Sequence, residues 1–390
     1  MKLIQSRLFT LGMTATLIGI TCLVSGLLFA ADRSAGQYLV YVGTYTGPKS
    51  KGIYGLRFDP SKGRLDQIGL VGEVANPSFL TLDRNQRYLY AVSELSGKTN
   101  GFVSSFAVNR KTGMLTLLNK VSTIGTVACH LVVDKTNKML LVANYGSGSV
   151  AAFRVKPDGT LSDSTAFSQH SGSSVNPRRQ RGPHAHAVVL SADNRFVFVP
   201  ELGLDEIKSY RLDPRQATFI ANDPPYVKVT PGLGPRHFTF HPNNKYAYDV
   251  NEMGSSVTAF AYDAGKGALH EIQRISTLPE GFSGVNNSAE IQVDKAGHFL
   301  YASNRGHDSI TVFSINQKDG KLTTVQIVST QGKTPRNFAL DPTGRYLLAA
   351  NQDSDTIVVF KVDEKSGRLF PTGQTMTVPS PVCIEFVPAT

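Results

Sequence analysis

The sequence predicts an all-β protein, a seven-bladed β-propeller made of four-stranded antiparallel blades. Two observations indicate this fold class: one pattern of strand-like runs recurs along the chain, and the two chain ends match different parts of that pattern. A repeat of about 40–55 residues that contains four short strands is typical of a propeller blade.

The repeat is clearest in three copies, which begin at Pro77, Pro235 and Pro335. In each copy a short apolar run follows the proline. A second apolar run comes next, and its equivalent position lies thirteen residues after the proline in all three copies. Weaker copies begin near Ala128, Ala185 and Ser288. Two more strand-like runs complete each copy, and a Gly-Lys-Leu or Gly-Arg-Leu turn precedes the last of them. Runs rich in β-branched and aromatic residues, bounded by turn residues, indicate strands.

The chain ends fix the number of blades. Residues 38–43 match a second strand, and residues 380–387 match a first strand. We therefore expect the C-terminal strand to join the N-terminal strands and complete a seventh blade within a domain of residues 38–388. Such a closure removes an exposed sheet edge.

Residues 1–30 have the layout of a secretory signal peptide. Lys2 and Arg7 precede an uncharged apolar run over residues 8–30. We expect an exported protein, periplasmic or extracellular, with no membrane association after cleavage. The run is also long enough to serve as an uncleaved membrane anchor.

Composition narrows the range of partners. The formal net charge of +10 is spread along the chain, which suits an anionic small molecule and gives no indication of nucleic-acid binding. Cys129 and Cys383 lie in strand-like apolar segments, so we expect buried thiols rather than a disulfide. We expect a monomer without a cofactor.

The candidate site lies where first strands begin and second strands end, because both points reach one mouth of the central channel. The residues after the proline position are Ser78, Cys129, His186, Arg236, Ala289, Arg336 and Val382. The second strands end with pairs such as Ser93-Glu94, Asn251-Glu252 and Asn304-Arg305, and with Gly43-Thr44 in the N-terminal blade. One mouth should therefore collect His186, Arg236, Arg305, Arg336, Glu94, Glu201 and Glu252.

This set of side chains suits acid–base chemistry on an anionic or carbonyl-containing ligand. Arginines donate to carboxylates, phosphates or a developing oxyanion, and a histidine or glutamate can move protons near neutral pH. The alternative is that the charges only pair with one another around a wet channel.

Two further features, a group of histidines and a basic run, are weaker indications of a site. His184 and His186 alternate on one strand, with His237 a conceivable third metal ligand, but no metal-binding motif is present and we expect no metal. Arg178, Arg179 and Arg181 form a basic run before His184, and we expect a solvated loop there.

The chain resembles the seven-bladed β-propeller lactonase family, which includes 6-phosphogluconolactonases and carboxymuconate-lactonising enzymes. The resemblance covers residues 38–388 and is carried by segments 41–46, 182–186, 234–237, 251–252, 303–305 and 334–337. It implies a catalytic set of His186 (or its neighbour His184), Arg236, Glu252 and Arg305. We expect substrate-binding roles for His184, Glu201, His237, Glu290, Asn304 and Arg336.

These expectations lead to a metal-independent lactone hydrolase, 6-phosphogluconolactonase-like, that acts on a carbohydrate-derived or carboxylated lactone. Either His186 or Glu252 would activate water. Export makes a phosphorylated metabolic substrate unexpected. The alternatives are a lactonising cycloisomerase that acts on a muconate, and a non-catalytic exported propeller that serves as a binding platform.

Overall fold

The computed structural model describes residues 36–97 and 99–390. This part of the chain forms seven four-stranded sheets with antiparallel pairing throughout, and a single 3₁₀ turn, Gln352–Ser354, is its only helical element. The predicted seven-bladed propeller is confirmed. The predicted signal peptide, residues 1–30, lies outside the described residues. No helix among the described residues is long and apolar enough to cross a membrane.

We number the blades in chain order. Blade 1 contains β1 (Tyr38–Thr44), β2 (Gly52–Asp59) and β3 (Arg64–Glu73). Blade 2 contains β4 (Leu80–Leu82), β5 (Tyr88–Ser93), β6 (Asn100–Val108) and β7 (Leu115–Thr126). Blade 3 contains β8 (Ala128–Val133), β9 (Met139–Asn144), β10 (Ser149–Val155) and β11 (Leu161–Gln169). Blade 4 contains β12 (Val189–Leu190), β13 (Phe196–Glu201), β14 (Glu206–Asp213) and β15 (Thr218–Lys228).

The remaining blades follow the same order. Blade 5 contains β16 (Pro235–Phe240), β17 (Tyr246–Asn251), β18 (Ser256–Asp263) and β19 (Ala268–Ser276). Blade 6 contains β20 (Asn287–Val293), β21 (Phe299–Arg305), β22 (Ser309–Ile315) and β23 (Leu322–Ser329). Blade 7 contains β24 (Pro335–Leu340), β25 (Tyr346–Asn351), β26 (Thr356–Val362) and β27 (Leu369–Thr377), and β28 (Pro381–Pro388) returns to blade 1.

The ring is closed by the two chain ends, as predicted. Strand β28 pairs with β1 from Tyr38 opposite Pro388 to Thr44 opposite Pro381. This pairing makes β28 the first strand of blade 1, in the order β28-β1-β2-β3. The N-terminal and C-terminal strands thus pair with each other in one sheet, so neither chain end leaves an unpaired fragment of a blade.

Burial follows the position of a strand within its blade. All six residues of β9 are buried, because both faces of a second strand pack against neighbouring blades. Strand β11, the fourth strand of the same blade, alternates between half-buried and exposed residues at the outer edge. Each fully buried large apolar side chain contributes roughly 1.5–3 kcal/mol to stability relative to an exposed one. Because the buried clusters combine residues of adjacent blades, the core is a ring of contacts between blades.

Buried tyrosines in second strands bind the turn that precedes the fourth strand of the next blade. The hydroxyls of Tyr248 and Tyr301 donate to the carbonyls of Gly320 and Gly367 in the next blade, at 2.9 and 3.0 Å. These glycines have φ values of +72° and +70°, and a Cβ atom on either would lie 2.4 Å from an aromatic ring. The turn therefore requires glycine for both its backbone conformation and this close approach.

The first strands surround the central axis and contact one another around the ring. The rings of Phe79 (blade 2) and His237 (blade 5) lie 5.7 Å apart across the axis, and His130 stacks on Phe79 at 3.9 Å. These three residues each come two after the proline position of the repeat, so their rings lie in the channel just below its mouth. We call the space above them the recess.

Candidate active site

The mouth is formed by two sets of seven residues, one from each blade. In blades 5 and 7 the residue after the proline of the repeat is bulged out of the ladder, as the shifts between Pro235 and His237 and between Pro335 and Asn337 show. The inner ring is made of these two residues and their equivalents in the other blades. This inner ring consists of Ser78, Cys129, His186, Arg236, Ala289, Arg336 and Val382. The rim consists of the residue that follows Asn251 and its equivalents in the other second strands: Tyr45, Glu94, Tyr145, Leu202, Glu252, Arg305 and Gln352. Arg305 is itself still paired, opposite Asn287.

One rim position differs from the prediction. We expected Gly43 and Thr44 to supply blade 1, but Thr44 pairs with Pro381 as Asn251 pairs with Pro235. The register shift here is the one found in blade 5, with Val382 bulged out as Arg236 is, so the end of β1 lies one residue beyond the predicted alignment. Tyr45 is therefore the rim residue of blade 1.

Glu252 is the centre of the charged cluster. Its Oε2 accepts hydrogen bonds from Nε of Arg236 and lies at the same 3.0 Å from Nη2 of Arg305. Nε2 of His186 is 3.6 Å from that oxygen, and Nη2 of Arg179 donates to Oε1 at 2.6 Å. The structure thus brings together His186, Arg236, Glu252 and Arg305.

Backbone carbonyls of blade 6 fix the two deeper arginines. Arg236 donates from Nη1 to the carbonyl of Ala289 at 2.7 Å. Arg305 donates to the carbonyls of Asn287 and Ser288 at 3.2 Å. Because these contacts hold both guanidiniums in one orientation, the remaining N–H groups point to fixed places in the recess.

The electrostatics of the cluster sets its protonation. Burial alone would raise the pKa of Glu252, but the guanidiniums of Arg305, Arg236 and Arg179 outweigh burial and hold that pKa well below its usual range. Burial, with Arg236 next in weight, lowers the pKa of His186 well below 6.5. At neutral pH the cluster therefore holds an ionised Glu252 and a neutral His186 imidazole.

Arg336 lies in the same recess without an ion-pair partner. Among the described residues it has no hydrogen bond or salt bridge, and its guanidinium carbon lies 5.3 Å from the ring centre of Tyr45. The Tyr45 hydroxyl donates to the carboxylate of Glu94, 2.9 and 3.0 Å from its two oxygens. Burial opposes the charge on Arg336, but Tyr45 and Glu94 raise its pKa above the usual value. The recess thus contains a charged guanidinium whose donors are free for a ligand.

The two predicted histidines have different surroundings. His184 stacks on Tyr145 at 4.5 Å, and its Nδ1 donates to the carbonyl of Tyr145 at 2.9 Å. The His186 ring meets the same tyrosine edge-on at 5.2 Å, with its Nδ1 3.9 Å from Sγ of Cys129. Only His186 presents a ring nitrogen to Glu252.

Glu201 and Asn304 are fully buried and support the mouth from behind. The Glu201 carboxylate accepts from the His184 backbone N–H and pairs with Nδ1 of His170, whose Nε2 lies 2.8 Å from the Tyr210 hydroxyl. Asn304 donates to the carbonyl of Thr277 at 2.9 Å. Neither residue is at a rim position, because each stands one residue earlier in its second strand, equivalent to Asn251.

His237 and Glu290 lie one level below the inner ring. Nδ1 of His237 is 3.2 Å from Oε2 of Glu290, which also accepts from Asn337 at 2.6 Å. Burial raises the pKa of Glu290 to about 7 and lowers that of His237 well below 6.5. These residues form the floor of the recess together with Phe79 and His130.

Arg179 corrects the expectation of a solvated basic loop. Besides Glu252, its Nη2 donates to the Tyr145 hydroxyl at 3.2 Å. The basic run lies directly before His184, which indicates that it is near the site. The sequence alone does not show that the loop folds back so that Arg179 contacts Glu252. No three His, Cys, Asp or Glu side chains in residues 36–97 and 99–390 are grouped so that they could hold a metal ion.

Comparisons with known proteins identify the family to which this fold belongs. A family model described as "Lactonase, 7-bladed beta-propeller" matches residues 39–386. A 6-phosphogluconolactonase from Bacillus subtilis (strain 168) is 36% identical over 351 residues, which cover 90% of this chain and 99% of the relative. A 6-phosphogluconolactonase from Formosa agariphila is 36% identical over 307 residues, 77% of this chain and 86% of the relative.

Solved structures give the same result. A periplasmic gluconolactonase from Pseudomonas aeruginosa is 35% identical, with a TM-score of 0.85 over 91% of this chain and 100% of that one. A Lactobacillus plantarum protein is 32% identical with a TM-score of 0.84, over 90% of this chain and 99% of that one. From the match over nearly the whole propeller and the identity to these relatives, we conclude that the chain belongs to the seven-bladed β-propeller lactonase family.

Proposed function

We propose that this protein hydrolyses a carbohydrate-derived or carboxylated lactone in the recess at the channel mouth, without a metal. The observation that carries the proposal is the surroundings of Oε2 of Glu252, where Arg236 and Arg305 lie at 3.0 Å and Nε2 of His186 at 3.6 Å. A lactone carbonyl above this point would lie within reach of both guanidinium donors and a neutral imidazole.

The chemical step needs a base, a place for negative charge and an acid. Nε2 of His186 takes a proton from water while the water oxygen bonds to the carbonyl carbon, and the carbonyl oxygen becomes an oxyanion. The oxyanion then re-forms the carbonyl as the ring C–O bond breaks, and His186 returns the proton to the leaving oxygen. A positioned acid–base group of this kind is typically worth about 10²–10⁴-fold in rate.

The other charged residues have supporting roles in this proposal. Arg336, whose guanidinium has no ion pair among the described residues, receives the oxyanion together with Arg236. Glu252 holds Arg236 and Arg305 in place and stabilises the imidazolium that forms at His186. Because guanidiniums supply the positive charge, no Lewis acid is required in this scheme. His237 and Glu290 close the floor beneath the substrate.

We also propose that the protein is exported and acts outside the cytoplasm. Residues 1–30 have the layout of a signal peptide, and the Pseudomonas aeruginosa relative is described as periplasmic. Intact-mass measurement of protein recovered from a cell fractionation would show removal of this segment. A full-length mass in the membrane fraction would instead indicate the uncleaved anchor, and a full-length mass in the cytoplasmic fraction would contradict export.

The activity is tested with a panel of aldonolactones in chelator-containing buffer, corrected for spontaneous hydrolysis. We expect hydrolysis by the parent protein and a loss of at least about 100-fold in kcat/KM for Arg236→Gln and Arg336→Gln, since one lost oxyanion donor costs this much. Arg64→Gln is the matched control, because Arg64 is exposed and pairs only with Asp66. Unchanged rates in both site variants, or activity on muconates with none on lactones, would contradict the proposal.

A further inference from the structure

The connection between blades 3 and 4 is a built structure above the mouth. It runs from Gln169 to Val189, which makes it the longest connection between successive blades in the described chain. Within it, the Asn176 side chain accepts hydrogen bonds from the backbone N–H groups of Arg178 and Arg179 at 3.0 and 3.1 Å. The N–H of Gln180 closes the turn onto the carbonyl of Asn176 at 2.9 Å. Arg179 is therefore presented by an ordered turn.

Asp205 ties this turn to the strand that carries Arg236. Its carboxylate accepts from the side chains of Ser174 and Gln180, at 2.6 and 2.8 Å. The same carboxylate accepts from the backbone N–H groups of Gly232 and Gly234, at 2.7 and 2.8 Å, just before β16 begins. The backbone of Arg179 is thus fixed relative to the recess, while its side chain extends over it.

The Arg179 guanidinium bridges the two residues that flank the His186 imidazole. It donates to Tyr145 of blade 3 and to Glu252 of blade 5, above His186 of blade 4. Its side chain is 38% exposed, whereas those of Arg236 and Arg305 are 3% and 14% exposed. Since the two deeper guanidiniums already contact Glu252, Arg179 is the partner that can leave without stripping the carboxylate of its cations.

Resting on the proposed function, we propose that Arg179 is a specificity-determining residue that binds an oxyanionic substituent of the lactone, a carboxylate or a phosphate, at the edge of the recess. In the free protein Glu252 and Tyr145 occupy the guanidinium. A substrate anion replaces Glu252 as its acceptor, and the lactone ring then lies between Arg179 above and Arg236 and Arg336 below. The planar guanidinium has two parallel N–H groups that match either a carboxylate or a phosphate.

The test compares three lactones that share one six-membered ring: glucono-δ-lactone, its 6-phosphate, and the 1,5-lactone of glucaric acid, which has a carboxylate in place of the primary alcohol. We expect Arg179→Gln to lower kcat/KM for at least one anionic lactone by about 10-fold or more, mainly through KM, and for the neutral lactone by less than about 3-fold. The lactone with the larger loss identifies phosphate or carboxylate as the preferred substituent. Arg178→Gln is the matched control, because Arg178 lies in the same turn with an exposed side chain.

Two outcomes would overturn the inference. One is an equal fall in kcat/KM for all three lactones, which would show that Arg179 acts only by holding Glu252 in place. The other is no fall in kcat/KM for any of them. A parent protein that hydrolyses none of them would contradict the proposed function instead. Calorimetric binding of gluconate, 6-phosphogluconate and glucarate separates the two failures. We expect Arg179→Gln to lose at least about 10-fold in affinity for either 6-phosphogluconate or glucarate, the two acids with a second anionic group, and equal affinities in parent and variant overturn the inference.

Discussion

Nε2 of His186 lies 3.6 Å from Oε2 of Glu252, and at neutral pH the carboxylate is ionised whereas the imidazole is uncharged. Three guanidiniums hold the Glu252 pKa well below its usual range, whereas burial, followed by Arg236, keeps the His186 imidazole neutral. A carboxylate so strongly stabilised is a poor proton acceptor. Of the two residues that the sequence offers as the base, the geometry favours His186, with Glu252 as the group that stabilises its charged form.

His186→Asn should lower kcat on a lactone substrate by about 10²–10⁴-fold, because the variant lacks the group that moves the proton. In the parent protein the acid limb of the kcat/KM profile should lie below pH 6.5, since burial lowers the His186 pKa and protonation removes the base. Initial rates between about pH 4 and pH 7.5 check both statements. His298→Asn, at an exposed histidine, is the control, and an acid limb retained in His186→Asn would assign the base to another residue.

Glu252→Gln should destabilise the protein by about 3–5 kcal/mol at neutral pH, because it leaves buried guanidiniums without their counter-charge. The sign of the pH dependence follows from the lowered pKa of Glu252. Its contribution is present above the unfolded-state pKa of about 4.3 and is lost as pH falls through the lower folded-state pKa.

Denaturant unfolding at about pH 7 and about pH 3 measures this effect, and the difference between parent and Glu252→Gln should shrink at the lower pH. Glu364→Gln, at an exposed glutamate, should behave as the parent does at both values. A difference that stays constant over this range would show that charge compensation is not what Glu252 contributes.

The fold and the main cluster were predictable because both rest on the repeat. A blade needs the same strand lengths and turn glycines each time, so a departure such as Arg236 where other blades have Cys129 or Ala289 stands out. Since the ring closes, equivalent positions must share one mouth. The convergence of His186, Arg236, Glu252 and Arg305 follows from these two constraints.

Other contacts depend on features that the repeat does not encode. Tyr45 is the rim residue because β1 extends one residue beyond its alignment with the repeat, and apolar patterns do not fix the last residue of a strand. Arg179 reaches Glu252 because a non-repetitive connection is fastened by Asp205. The Glu201 carboxylate is bound by His170, in that same connection. The last two contacts depend on a loop path, which apolar periodicity does not determine.

Replacing two carboxyls that have raised pKa values should flatten part of the pH dependence of stability. Burial raises the pKa of Glu290 to about 7 and that of Glu385 to about 8, and the charge of Glu290 adds to the second shift. For acids with raised folded-state pKa values, the favourable contribution is present below the usual value of 4.5 and is lost as pH rises to about 8.

The unfolding free energy of Glu290→Gln/Glu385→Gln, minus that of the parent, should therefore increase between about pH 4.5 and pH 8. Glutamine keeps an oxygen that can accept the hydrogen bond from Asn337, so the comparison isolates ionisation. Unfolding curves at several pH values measure the difference. A difference independent of pH would mean that both carboxyls ionise normally in the folded protein.

Glu201→Asn separates the support of the mouth from the fold of the blade. Asparagine stands at the equivalent position, directly before the rim residue, in four other blades, as Asn144, Asn251, Asn304 and Asn351, so the substitution suits the scaffold. Its shorter side chain would leave His170 and the His184 N–H without their buried acceptor, at a cost of roughly 1–3 kcal/mol. The segment that positions His186 would then relax, and we expect kcat to fall at least about 10-fold with a smaller change in KM. Glu201→Gln, which keeps an oxygen for the His184 N–H and a nitrogen for His170, should retain most of the activity. If the asparagine variant is as active as the glutamine variant, the contacts of Glu201 do not position the catalytic histidine.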